Sequence, residues 1–214
     1  MKTFLQLANQ QHSALPAAFE QDDVRYAPAL VEAFLAEYTR PGDLVFDPFA
    51  GFGTTLVVAE AMGRRPLGLE LDLERVEYVR TRLRDPGAIR QGDARRLRDY
   101  DLPPIDFSLT SPPYMNAGDP EDPLAAYAVP GQGYAAYLDG LRDIYAQLAR
   151  RLRPGARAVI EAANLRSTGT VTTLAWDIAR AVSSVLTFEG ETVIGWDQYG
   201  YGYDHSYCLI FTRR

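Results

Sequence analysis

The sequence predicts an α/β fold, a mostly parallel sheet with helices on both faces. Three observations predict it. Leu44-Val45-Phe46 is a short apolar run, followed by a turn containing Gly51 and Gly53 and then by a helical run over 56–62, so a buried strand passes through a tight turn into a helix. Apolar runs of strand length and helical stretches then alternate until two closing strands. Finally, Asp47, Glu70, Asp93 and Ser111 each close such a run, which sets four polar groups along the edge where open α/β sheets bind ligands.

The 214 residues suit one domain, residues 1–214, with a full core. Apolar residues make up 47%, which excludes a disordered or fibrous chain. No apolar run reaches membrane-spanning length, and residues 1–11 turn polar too soon for a signal peptide. Cys208 is the single cysteine, so neither an internal disulfide nor a cysteine zinc site can form. A cytoplasmic location is the expectation. The net charge of −6 argues against tight, stand-alone nucleic-acid binding, because phosphate neutralisation dominates such affinity. The runs Arg80, Arg82, Arg84 and Arg95, Arg96, Arg98 read as solvated helix faces.

Taken in order, residues 1–27 have weak periodicity. Leu30, Phe34 and Tyr38 recur at every fourth position, so the segment after Pro28 reads as a helix with Pro28 in its first turn. Pro41-Gly42 ends it. Gly63-Arg64-Arg65-Pro66 turns the chain into a second strand, 67–72, and a helix follows over 73–83. The third strand starts at Ala88 and ends in Gly92-Asp93. The fourth is 105–110. A Gly-, Pro- and Asp-rich loop, 115–133, carries Tyr127 near its middle and reads as a lid or substrate-contacting segment. Tyr134 to Leu152 reads as an amphipathic helix with Tyr134, Leu138, Leu141, Tyr145, Leu148 and Leu152 along one stripe, ended by Arg153-Pro154-Gly155. A fifth strand over 157–163, a helix over 171–186 and two last strands, 191–196 and 206–211, complete seven strands. Cys208, inside the last apolar strand, reads as an inert buried thiol.

The turn after the first strand is Asp47-Pro48-Phe49-Ala50-Gly51-Phe52-Gly53-Thr54-Thr55. It has no lysine for a P-loop and only part of G-x-G-x-x-G. Gly51 and Gly53 let a ligand approach the backbone, and Thr54 and Thr55 can cap the following helix. Asp47 favours a positively charged ligand. Glu70 lies about 20 positions beyond Gly51, the distance at which an acid in doubly wound sheets accepts hydrogen bonds from a ribose, with Asp72 the second choice. The whole string resembles the S-adenosylmethionine loop of amino-methyltransferases, the enzymes that methylate exocyclic nitrogens of nucleic-acid bases. The resemblance implies a Rossmann-like class I methyltransferase domain whose cofactor, S-adenosyl-L-methionine, is held by Asp47, Pro48, Phe49, Gly51, Gly53, Thr54, Thr55 and Glu70. It further implies that Asp93 accepts from the adenine amino group and that the Ala94 N–H meets a ring nitrogen. Residues 1–40 would then cover the methionine end of the cofactor, with His12 and Tyr26 as candidates.

Ser111-Pro112-Pro113-Tyr114 follows the fourth strand and resembles the catalytic loop of the same family. An exocyclic amine is a poor nucleophile, because its lone pair is delocalised into the ring. Two acceptors on its hydrogens, the Ser111 hydroxyl and the Pro112 carbonyl, would rotate and polarise it. Pro112 and Pro113 fix the loop before substrate arrives. The Tyr114 ring can stack on a base taken out of its helix. In the family a serine in first place goes more often with N4 of cytosine, which makes DNA cytosine-N4 methylation the first choice of function. An RNA base methyltransferase acting on guanine N2, or a non-catalytic cofactor-binding subunit, is the alternative. DNA ranks above RNA as partner. The stretch from His205 to Phe211 resembles the strand that closes these enzymes, with Ser206 where a glutamate is usual, and Tyr203 and His205 are candidates to touch the base. The cofactor loop precedes the catalytic loop, whereas many cytosine-N4 enzymes run the other way. Neither the N-terminus nor the 115–133 loop is long enough for a target-recognition domain, which puts sequence-specific duplex recognition in doubt; a partner subunit, a single-stranded or structured substrate, or weak specificity would each resolve it.

Overall fold

A computed structural model describes residues 2–22, 24–125, 132–167, 169–197 and 203–213. Tyr127 and residues 198–202 of the last connection lie outside the described residues. Among the described residues the main sheet has eight strands: β1 (Phe4–Leu7), β2 (Leu44–Asp47), β3 (Arg65–Glu70), β4 (Ile89–Gln91), β5 (Ile105–Thr110), β6 (Leu152–Ala162), β9 (Thr187–Trp196) and β10 (His205–Thr212). A separate hairpin joins β7 (Leu165–Ser167) and β8 (Thr170–Thr172). The helices are α1 (Pro28–Tyr38), α2 (Thr54–Ala61), α3 (Leu73–Arg80), α4 (Tyr134–Ala149) and α5 (Leu174–Val182).

Across the sheet the strands run β1-β9-β10-β6-β5-β2-β3-β4. β6, β5, β2, β3 and β4 are parallel, and β10 is antiparallel to both its neighbours. The chain therefore winds outward from β2 through β3 to β4, then returns to place β5 on the other side of β2. That reversal makes a crevice between the carboxyl ends of β2 and β5, the place where doubly wound sheets take their ligands. Both faces of the sheet are covered. Phe46, Ile160, Leu209 and Phe211 pack toward α4 and α5. Val45, Phe107, Val159 and Ile210 pack toward α1 and α2.

Several expectations need correction. The seven expected strands are joined by an eighth, because residues 4–7 pair in parallel with 193–196. Leu5 and Leu7 rest on the core while Phe4 stays exposed, too short an alternation to stand out in sequence. The helix expected to reach Leu152 ends at Ala149, and Arg153-Pro154-Gly155 lies inside β6. The buried face of α4 is Tyr137, Leu141, Ile144, Tyr145 and Leu148, one position round from the stripe read through Tyr134 and Leu138. Val171 belongs to the β7–β8 hairpin, and α5 is confined to 174–182. α3 stops at Arg80. Cys208 is fully buried, and burial pushes its thiol pKa well up.

Candidate active site

Asp47 ends β2 and is almost wholly buried. Its Oδ1 accepts from the Phe49 amide at 3.0 Å, and its Oδ2 accepts from the Tyr26 hydroxyl at 3.3 Å. Tyr26 also shares a short hydrogen bond with the Thr55 hydroxyl. Burial pushes the Asp47 carboxyl up to about 6 against the pull of these neighbours, and the Thr110 hydroxyl faces it short of a well-formed hydrogen bond. The Tyr26 hydroxyl is pushed well up by burial and by the Asp47 charge. Tyr26 stands just before α1, so the N-terminal segment does reach the crevice. His12 does not, being exposed and 4.0 Å from Glu32.

The turn after Asp47 has two glycines with different jobs. Gly51 has φ +52°, and a Cβ there would meet nothing within 4 Å, so its outer side is open. Gly53 has φ +79°, and a Cβ there would lie 2.6 Å from Val79 Cγ1. Gly53 is therefore needed for close packing on α3. It is also the residue that starts α2, with no side-chain cap, so the capping expected of Thr54 and Thr55 is absent. Thr55 is spent on Tyr26 and on the Leu109 carbonyl.

Glu70 ends β3. Its Oε2 accepts from the Gly51 amide at 2.8 Å and its Oε1 from the Asp72 amide at 2.9 Å. It thus ties the glycine turn to the next strand, and each oxygen keeps a lone pair for a diol. Asp72 instead caps α3, accepting from the amides of Glu74 and Arg75. Asp93 follows β4 and holds Arg95 through both carboxylate oxygens, at 2.7 to 3.0 Å. Burial raises the Asp93 carboxyl, but Arg95 outweighs it and leaves it below the usual range. Ala94 opens the following turn and is buried. Pro48 is buried and Phe49 leans on the core. Asp47, Glu70 and Asp93 thus stand in spatial order along one edge. This order suits a ligand carrying a cation, a pair of hydroxyls and an exocyclic amine in sequence.

Ser111 to Tyr114 leave the end of β5, across the crevice from Asp47. Ser111 Oγ donates to Glu161 Oε2 at 2.8 Å, and the Tyr114 hydroxyl donates to the same oxygen at 2.7 Å. Glu161 lies on β6 and is 3% exposed. With its proton committed, the Ser111 oxygen offers only lone pairs outward. The Pro113 carbonyl accepts from Tyr137 on α4 at 2.9 Å, which holds the loop from behind. Three residues beyond Tyr114, the Ala117 amide donates to Thr172 of β8 at 3.0 Å.

Sequence reasoning missed Glu161, Tyr137, Thr172 and Arg95. A signal existed for Glu161: a lone carboxylate in the strand Ala158 to Ala163, where every neighbour is apolar, demands a buried partner. For Tyr137 and Thr172 no local signal existed, since each acts on backbone remote in sequence.

Similarity to known proteins was found at two levels. In Thermus thermophilus, the crystal structure of TrmN superposes with a TM-score of 0.63 at 20% identity, covering 92% of this chain and 52% of that one. The fold is that of a Rossmann-like methyltransferase. Within this methyltransferase fold, residues 9–81 match the N6/N4 family described as DNA methylase. The chain is 43% identical over 54 residues to the type II methyltransferase M2.DpnII of Streptococcus pneumoniae, 25% of this chain and 20% of that protein. It is 37% identical over 79 residues to a tRNA (guanine(10)-N2)-dimethyltransferase of Methanothermobacter thermautotrophicus, 35% of this chain and 23% of that protein. The chain therefore spans about a fifth of the length of the curated relatives it matches. The family match takes in Asp47 to Glu70 and stops before Ser111.

Proposed function

We propose that this chain transfers a methyl group from S-adenosylmethionine to an exocyclic amine of a nucleic-acid base, with N4 of cytosine in DNA as first choice. One observation carries the reading: Ser111 and Tyr114 share the buried Glu161 carboxylate at the β2–β5 crevice, directly across from Asp47. The chemistry the cofactor supplies is an electrophilic methyl on a cationic sulfur. Asp47 meets positive charge, Glu70 accepts from ribose hydroxyls, and Asp93 with the Ala94 N–H addresses the adenine. The Arg95 guanidinium shares Asp93, so it must yield one carboxylate oxygen to an incoming amine. The Gly51 side of the turn supplies open space beside these groups.

On the other wall, the Ser111 lone pairs and the Pro112 carbonyl accept the two amine hydrogens. Positive charge grows on that nitrogen during transfer, these acceptors stabilise it, and one proton leaves the nitrogen for solvent after the methyl arrives. Glu161 acts as the positioning residue, holding Ser111 in the accepting orientation and fixing Tyr114 to stack on the base. Residues 1–40 cover the cofactor through Tyr26, residues 1–214 form one catalytic domain, and a partner subunit supplies target recognition.

The deciding experiment offers labelled S-adenosylmethionine with genomic DNA and, separately, total RNA, and identifies the modified nucleoside. N4-methylcytosine in DNA is the expected product; N6-methyladenine would keep the chemistry and change the base. Ser111→Ala should lower turnover by about a hundredfold or more while leaving cofactor affinity within about twofold. Full turnover in that variant would remove the loop from the mechanism. The similarity to the tRNA enzyme favours a second reading, an RNA guanine-N2 transferase, and label confined to RNA would select it.

A further inference from the structure

Beside the catalytic loop lies a series of rings that the proposed transfer does not use. The Arg166 guanidinium sits 4.8 Å over the Tyr203 ring. Tyr203 meets His205 edge-on at 5.4 Å, and His205 meets Tyr207 edge-on at 5.2 Å. Tyr207 in turn meets Trp176 at 4.7 Å. The two ends of the series are open to solvent and its middle is half-buried: Trp176 is 41% exposed, Arg166 is exposed, Val171 at the margin is 52% exposed, and Tyr203, His205 and Tyr207 are half-buried. Large aromatic surface left exposed on one side of a fold marks a binding surface.

Two strand pairs bring this surface toward the candidate active site. Tyr207 pairs with Ala162, the residue after Glu161. Arg166 pairs with Val171 in the β7–β8 hairpin, and the next residue, Thr172, holds Ala117 just beyond the catalytic loop. Tyr207 and Tyr114 pack against the same core layer, so the rings lie on the side of the sheet from which Tyr114 leaves. We propose that they form a stacking platform for single-stranded DNA, taking up unstacked nucleotides that flank the target base. The DNA identity rests on the function proposed above; the stacking chemistry does not. Exposed π-faces with an adjacent guanidinium are what unpaired bases stack on. A duplex keeps those faces to itself. The surroundings also disfavour duplex: Asp204 lies beside His205, Asp177 is held near Trp176 by Thr173 and Tyr134, and the chain as a whole is acidic. Affinity must come from stacking rather than phosphate neutralisation, so the salt dependence should be shallow, a log–log slope of about −0.7 for the single Arg166 contact.

The test is fluorescence anisotropy of a labelled DNA strand of about ten nucleotides, a length one such surface can occupy, with the full chain. Trp176→Ala and Tyr203→Ala should each weaken binding by about five- to a hundredfold, while Trp176→Phe should bind as wild type. The duplex and the equivalent RNA strand should bind more weakly. S-adenosylmethionine affinity, unchanged in every variant, checks the fold. Wild-type binding by Trp176→Ala, or duplex or RNA bound as well as single-stranded DNA, would overturn the proposal. Its fate is separable from that of the transfer reaction. Ring-dependent DNA binding without methyl transfer would leave the platform and remove the proposed reaction, and methyl transfer with ring-independent binding would do the reverse.

Discussion

Glu161 is the residue on which the wall formed by Ser111 and Tyr114 depends. It is buried among apolar neighbours, and the hydroxyls of Ser111 and Tyr114 both end on one of its oxygens. Glu161→Ala would leave those hydroxyls without their acceptor, so it should lower stability by about 1–3 kcal/mol and turnover with it. Glu161→Gln keeps an acceptor oxygen and should recover most of the stability but less of the turnover, as thermal melting and methyl transfer would show side by side. Asp47 sets a pH limit. Its folded-state value of about 6 lies above the ordinary 3.8, because burial disfavours the charge. The fold therefore gains from its protonated form at low pH and loses that gain as pH rises toward 6. A cationic ligand reverses the preference and expels the proton. Cofactor affinity, measured by calorimetry, should be flat above pH 6 and weaken below it by up to about tenfold per pH unit. Affinity independent of pH between 5 and 7 would separate Asp47 from the cation.

At the scale of elements, the glycine turn and the α1 terminus hold the crevice in shape. Gly51→Ala meets only the cost of a left-handed backbone, about 1–2 kcal/mol. Gly53→Ala adds a clash with Val79, so it should lower the melting temperature more than Gly51→Ala does. Equal effects would contradict the packing role assigned to Gly53. Arg64 closes the C-terminus of α1, donating to the carbonyls of Leu35, Thr39 and Met62 and to the Thr39 hydroxyl. Arg64→Ala should cost about 2–3 kcal/mol, read as a shift in the denaturation midpoint. In the sequence Arg64 looks like one more turn residue. Its four acceptors come from segments on both sides of the Pro41-Gly42 turn, so nothing adjacent to it reveals the role.

Across the whole molecule, the parallel strands converge on one ligand edge, and occupancy of that edge should stabilise the fold. S-adenosylmethionine at about a hundred times its dissociation constant should add about 2.7 kcal/mol, a gain in melting temperature that shrinks as pH falls below 6 with the affinity for Asp47. Among the described residues no helix is long and apolar enough to cross a membrane. Much of this architecture was legible in the sequence. Strand-length apolar runs at Leu44, Leu67, Ile105 and Val159 each end beside a polar residue, and period and punctuation are local properties, so seven strands and the polar residues at their ends could be read directly. Boundaries were less legible where one local signal serves two structures. Arg153-Pro154-Gly155 reads as a stop, yet Pro154 sits in β6 near its start, and Val171 carries helical spacing but pairs with Arg166. The strand at Phe4 to Leu7 exists because the edge of β9 accepts it, which no property of four residues announces. The sequence by itself determined seven of the strands, the glycine turn and the carboxylates that follow the strands, because each depends on residues within a few positions of one another. Only the tertiary structure decided that Glu161 holds Ser111 and Tyr114, that Tyr26 reaches Asp47, and that Arg166, Tyr203, His205, Tyr207 and Trp176 form one surface, because strand pairing alone brings such distant residues within hydrogen-bonding and ring contact.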